Sequence, residues 1–299
     1  MIPPPATHHW RTPLPTSFRD LIERQDWAEP SKAVTVGPRH FISAVPDSER
    51  LVAEFLTDRG WQRPRDDRLT RPCGRLGVHL PRGPNPEWTV WGAQHRGAQV
   101  AWTLTVQPWL PTELLAATIT EAEAVLEEAP PQEREPFVRG VLALGLIPLA
   151  RAGWTDDVHP RGSVSFRPPG GFANAVVAVP SSLRELRGKP AATVSSYGPN
   201  SYWDAKFSAG TPSRVLAAFS RELADPEPLL RNADHIRQLS PTHKHITIRS
   251  LTDKDEESLS PAALAARSRS NAPTPASAPA PPTPPADPAP ATPSPTASR

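Results

Sequence analysis

The stretch Trp102-Thr103-Leu104-Thr105-Val106, followed by Pro111 and then Leu114-Leu115-Ala116-Ala117, decides the reading of this chain. The same order returns as Trp203-Asp204-Ala205-Lys206-Phe207, then Pro212 and Val215-Leu216-Ala217-Ala218. In both stretches large apolar residues alternate with polar ones, the period of two that gives a strand one buried face. Each proline stands where a helix opens, a favoured position because its missing N–H would find no partner in the first turn anyway. Leu114, Leu115, Ile119, Ala122 and Leu126 form the apolar face of the first helix, and Val215, Leu216, Phe219 and Leu223 that of the second.

Working outward, a second pair of landmarks appears. Gly60-Trp61 and Gly153-Trp154 each close a helix-like run, with the glycine where a left-handed residue belongs. In the first run Asp47 or Ser48 can cap the helix, and Leu51, Val52, Phe55 and Leu56 form its buried face. Extended runs lie between the landmarks: Val34-Thr35-Val36, then Arg75 to Leu80, Trp88 to Gln94 and Val100 to Val106. The pattern predicts two divergent copies, 34–130 and 137–232, each a β-α-β-β-β-α unit whose antiparallel sheet is backed by helices. Extra residues of the second copy are placed around Ser181 to Lys189. The fold class is α+β, and the pattern leaves open whether the copies share one sheet or form two lobes.

Composition sets the limits. Of 299 residues 41 are proline, against the usual ~5%, and they are densest at the ends. Residues 1–33 read as a Pro-rich arm in which Phe18, Leu21, Ile22 and Trp27 can make a short docking helix, and 233–257 as a polar linker. From Ser258 to Arg299 the chain is nearly all Pro, Ala, Ser and Thr, without the apolar side chains needed to offset ordering entropy, so it reads as a disordered tail. A formal net charge of +2 argues against a polyanion binder that works by overall charge alone. One cysteine excludes an internal disulfide and a multi-cysteine zinc site. The start has neither a basic n-region nor an apolar h-region, and the longest apolar run, Val141 to Ala150, is too short to span a bilayer. The expectation is a cytoplasmic protein without a membrane partner.

The landmarks resemble the SPDY family, a domain of unknown function (DUF317) found in filamentous actinobacteria and often present twice per chain. Its opening pattern is matched by Val36-Gly37-Pro38-Arg39-His40-Phe41. Its Pro-Leu and Ala-Gly-Trp stretch is matched by Pro148-Leu149 and Ala152-Gly153-Trp154, and its ending by Trp203, Thr211-Pro212 and Ala217-Ala218-Phe219. Where the family has Ser-Pro-Asp-Tyr, this chain has Arg71-Pro72-Cys73-Gly74 and Arg167-Pro168-Pro169-Gly170, sharing only proline. The resemblance implies architecture and no activity.

The chemistry-bearing residues point to binding. There is no phosphate loop, no Gly-x-Ser-x-Gly, no His-Glu-x-x-His and no Gly-x-Gly-x-x-Gly, so no catalytic residue, cofactor or metal is assigned. Cys73 has arginines nearby but no base placed beside it. His8-His9, His235, His243 and His245 read as exposed, and the pairs Asp66-Asp67 and Asp156-Asp157 as polar turns. Arginines 59, 63, 65, 68, 71, 75 and 82 crowd one stretch of the first copy. Of these, Arg63, Arg65, Arg68, Arg71 and Arg75 are the candidates for nucleic-acid contact, since arginine on phosphate beside stacking aromatics builds a backbone-reading surface. Trp61, Trp102, Trp154 and Trp203 recur at matched positions and read as core. Trp88, Trp91 and Trp109 have no matching tryptophan in the second copy and are the candidates for an exposed groove or an interface. The expectation is a non-catalytic binding protein, its partner another protein first and a nucleic acid second, with an enzyme whose site is too degenerate for motif reading as the remaining alternative.

Overall fold

The computed structural model describes residues 33–65, 67–83, 86–129, 137, 140–159, 162–178, 189–198, 201–234, 236 and 246–250, with Phe18 and Leu21. The tail 258–299, nearly all of the arm, His235, His243 and His245 lie outside them. In chain order the elements are β1 (Ala33–Gly37), a 3-10 turn (Arg39–Phe41), α1 (Ser48–Asp58), β2 (Gln62–Arg65), β3 (Arg68–Thr70), β4 (Leu76–His79), β5 (Trp88–Ala93), β6 (Val100–Val106) and α2 (Thr112–Glu128). The second half follows with a 3-10 turn (Leu142–Leu146), α3 (Ile147–Arg151), β7 (Thr155–His159), β8 (Ser163–Arg167), β9 (Ala173–Ala178), β10 (Ala192–Gly198), β11 (Ser201–Phe207) and α4 (Ser213–Ala224). Strands β12 (Leu229–Asn232) and β13 (Thr247–Ser250) close it.

Ten strands form one antiparallel sheet in the order β2-β3-β4-β5-β6-β11-β10-β9-β8-β7. Each half runs in sequence order from an outer edge to the centre, where β6 meets β11. There Leu104, Thr105 and Val106 pair with Phe207, Lys206 and Ala205. Thr105 and Lys206 each stand three residues beyond their landmark tryptophan, so the pair at the centre joins equivalent positions of the two halves. The architecture is α+β. An unbroken apolar row crosses the sheet through Leu69, Val78, Val90, Leu104, Phe207, Ala192, Val177, Val164 and Val158. Most of it packs in one core with α1, α2 and α4, in which Trp61, Trp102, Trp154 and Trp203 are all buried. An antiparallel sheet with one face on helices dictates this alternation.

Each half carries five strands where the sequence pattern predicts three between the helices. The added first hairpin, β2–β3, falls in the arginine-rich stretch that reads as a basic loop, because Arg, Pro and Asp favour strands weakly. Tertiary pairing overrides that preference: Leu69 is buried opposite Val78. Its counterpart takes Asp156 and Asp157 into β7, not into a turn. This is an edge strand, where charged residues are well suited. The tetrapeptide position also shifts. The Gly74 N–H donates to the Arg71 carbonyl and the Gly171 N–H to the Pro168 carbonyl, so the second turn is Pro168–Gly171, one residue later than aligned. Gly60 and Gly153 adopt φ of 81° and 82°, the left-handed helix ends expected of them.

The opening motif of the first half is used by the second. β1 lies between β12 and β13 in a separate three-stranded sheet, so the stretch read as a polar linker supplies a strand. After the cis Gly37–Pro38 bond, Arg39 is buried against the C-terminal end of α4. Its Nε donates to the Glu227 carbonyl at 2.9 Å and its Nη2 to Asp225 at 2.7 Å, and Nη1 meets the Glu222 carboxylate. A cation there also complements the helix dipole. The Ser196 hydroxyl of β10 donates to the His40 carbonyl at 2.5 Å, and Phe41 stacks with Phe172 at 5.7 Å. Conversely Phe137, placed at the start of the second copy, packs edge-on against Trp102 of the first at 5.6 Å. Arg231 of β12 forms a two-pronged pair with Glu113 in the first turn of α2, at 2.6 and 2.9 Å.

Two outcomes follow from this clamp. Arg39→Ala removes a buried cation from its partly exposed carboxylate partners and lowers unfolding free energy by about 1–3 kcal/mol, read as a lower denaturant midpoint. Burial holds His40 down to about 4, below its ordinary 6.5. The unfolded chain therefore binds a proton first as pH falls from 6.5 to 4, and stability falls with it, by up to about 3 kcal/mol. His40→Gln should flatten that part of the stability–pH curve relative to the wild type.

Candidate functional site

The sheet face opposite the helices carries its own continuous row. From one edge to the other it reads Arg68, His79, Thr89, Thr105, Lys206, Thr193, Val176, Ser165 and Asp157, each directly paired with the next. Directly opposed residues of an antiparallel ladder share a face, so these side chains form one surface spanning both halves. A parallel row holds Thr70, Gly77, Trp91 and Thr103 in the first half and Asp204, Ser195 and Asn174 in the second. Most positions of these strands on this face are polar because only the other face is needed for the core.

At the centre, Lys206 Nζ lies 3.1 Å from the Asp204 carboxylate and 4.0 Å from Glu87. The hydrogen bond with Asp204 raises the Lys206 pKa, so the cation is kept. Asp204 is buried, and its second oxygen has no hydrogen-bond partner among the described residues. Ser195 beside it is also buried, between Asp204 and Asn174 in the ladder. Farther out, His159 Nε2 lies 3.1 Å from the Ser165 hydroxyl.

In the first half the face is built on a glycine. The indole of Trp91 lies flat over Gly77, where a Cβ would overlap the ring. The Arg68 guanidinium covers the other side, 4.7 Å from the ring centroid, a cation–π arrangement. Arg75 stands two residues before Gly77, just ahead of β4. Buried N–H groups of Arg68, Arg75 and Trp91 have no acceptor among the described residues. His79, opposite Arg68, has its pKa lowered first by burial and then by Arg68, with Asp67 opposing.

The sequence candidates therefore divide. Arg68 stands over Trp91, Arg65 pairs with Arg68 in the ladder, and the Arg75 carbonyl accepts from the Ala93 N–H. Arg71 turns to the helix side, where it meets the carboxylates of Glu123 and Glu127. Arg59 and the Trp61 N–H reach the same buried Glu123 at 2.7 Å each. This carboxylate on α2 needs cations, and it takes Arg71 out of any surface cluster. Arg63 is exposed on β2.

The tryptophans are corrected. Trp88 is 2% exposed and belongs to the core, since it alternates with Val90 and Gly92 toward the helices. Trp91 is 6% exposed, roofed by Arg68. Only Trp109, at 63%, is exposed as expected. Sequence reasoning missed the central row altogether. Its signals were the threonines of β5 and β6 and the glycine inside a strand, which marks close approach of another group.

Cys73 is exposed, and among the described residues no group of three or more His, Cys, Asp or Glu side chains comes together to hold a metal. No helix among the described residues is long and apolar enough to cross a membrane. Residues 191–229 match the model of the SPDY family, a domain of unknown function (DUF317). That stretch covers β10, β11, α4 and the Arg39-binding end of α4. No curated protein and no solved structure matches the chain.

Gly77→Ala should lift Trp91 off the sheet and expose it. The expected readout is a changed near-UV circular dichroism spectrum with a loss of about 1–3 kcal/mol in stability, the usual range for overpacking.

Proposed function

We propose that this chain is a non-catalytic binding protein of two SPDY-like units fused into one sheet, and that its partner docks on the face opposite the helices. The observation that carries the reading is the polar row that crosses β6 and β11 without a break. Ten strands at ~4.8 Å spacing make a surface on the order of 40 Å across, the scale of a protein interface. Its central groups, Thr89, Thr105 and Thr193, are uncharged donors and acceptors, and its central cation is matched by Asp204 and Glu87. Such a mixed, nearly neutral surface suits a protein partner better than a polyanion.

A second reading rests on the Arg68–Trp91 stack and the acceptor-free N–H groups around it. They favour single-stranded nucleic acid, whose phosphates need donors. A pull-down from native lysate with and without nuclease separates the two. The comparison is between the wild type, a Thr89→Arg/Thr193→Arg variant of the docking face, and Arg214→Ala on the helix side. A protein partner should survive nuclease, be lost from the double variant and be kept by Arg214→Ala. Equal retention by the double variant would sink the docking-face reading. A ligand that vanishes with nuclease would select the second reading, for which Arg68→Ala and Arg75→Ala should each reduce the salt slope of binding by about 1.

A further inference from the structure

The chain has two tyrosines, and both stand at the same place. Tyr197 of β10 and Tyr202 of β11 are directly paired across the hairpin. They are 51% and 53% exposed, with ring centroids 6.0 Å apart and tilted by 43°. The Tyr197 N–H donates to the Phe172 carbonyl at 2.8 Å, which fixes this strand end. Two large rings are thus open to solvent at one end of a mostly polar face.

We propose that this aromatic patch is a docking site for the chain's own proline-rich segment around Pro281-Pro282-Thr283-Pro284-Pro285. Polyproline segments have a preset extended conformation, so little order is lost when they bind, and they are held by exposed aromatic faces. Their carbonyls are not used internally, which leaves them free to accept from tyrosine hydroxyls. The segment contains two overlapping Pro-x-x-Pro registers.

Connectivity fits. β13 ends at Ser250, opposite Val34, and the path along β1 to Phe41 and across to Phe172 is at most about 30 Å at ~3.3 Å per residue. A coil of the length from Ser250 to Pro281 has a typical end-to-end distance of about 30 Å. A tethered segment of this kind sees its site at an effective concentration in the mM range, so weak contact is sufficient.

The test uses the full-length protein and its two tyrosines. Nitration of Tyr197 and Tyr202 by tetranitromethane would be followed by mass spectrometry, for the wild type and for a variant with Pro281, Pro282, Pro284 and Pro285 all changed to Ser. Tryptophan fluorescence checks that the fold is kept. The variant should be nitrated several-fold faster, with wild-type protection independent of protein concentration. Equal rates in the two proteins would overturn the proposal. Protection that grows with protein concentration would overturn its intramolecular form and place the segment on a second copy.

Discussion

The three-residue ladder between Leu104–Val106 and Ala205–Phe207 is the contact on which the remaining structure depends. It converts two edge strands into the centre of one sheet. An exposed strand edge is a template for unwanted pairing, and here each half removes the other's. The ladder also aligns α2 and α4 side by side over a common core, where Trp203, Phe207 and Phe219 pack edge to face. Because the central pair joins equivalent positions, the apolar row and the polar row both pass from one half to the other without a shift. A slip of one residue would put Leu104 against Lys206 and break both rows at once.

Around this ladder the buried charges act as fasteners. Glu123 collects Arg59, Arg71 and the Trp61 indole and holds α2 to the turns that leave α1 and β3. Arg231 holds β12 to the start of α2, and Arg39 holds the opening segment to the end of α4. Glu222, the most enclosed partner of Arg39, has its pKa raised chiefly by burial, which outweighs the pull of the guanidinium. The pair therefore serves to position the segment more than to add stability, consistent with the heavy desolvation of buried ions.

How much of this could be read from the chain depended on the range of the interaction. The strands at Trp102 and Trp203, the helices after Pro111 and Pro212 and the turns at Gly60 and Gly153 are set by neighbours a few residues away, and all are where the pattern puts them. The β2–β3 hairpin was hidden because its residues prefer other states and are held by cross-strand pairing. The exchange of opening segments has no local signature: Arg39 meets Glu222 from 183 positions away. For the candidate site, the arginine run named the right neighbourhood. It could not tell Arg68, which covers Trp91, from Arg71, which a buried glutamate on a distant helix claims. Gly77 was the readable clue to Trp91.

The long reach of Arg39 has a consequence for how the protein is made. Its carboxylate partners are synthesised last among the helices, so at translation speeds of ~5–20 residues per second the opening segment waits about 10–40 seconds for its site. During that time β1 has neither of its flanking strands, and β6 exposes the edge that β11 will cover. The first half cannot reach its final form before the second has been made. Its closing contacts are non-local pairings, which form slowly by nature. Protection of the nascent β6 edge during that interval is thus part of what the cell must supply to obtain the folded molecule.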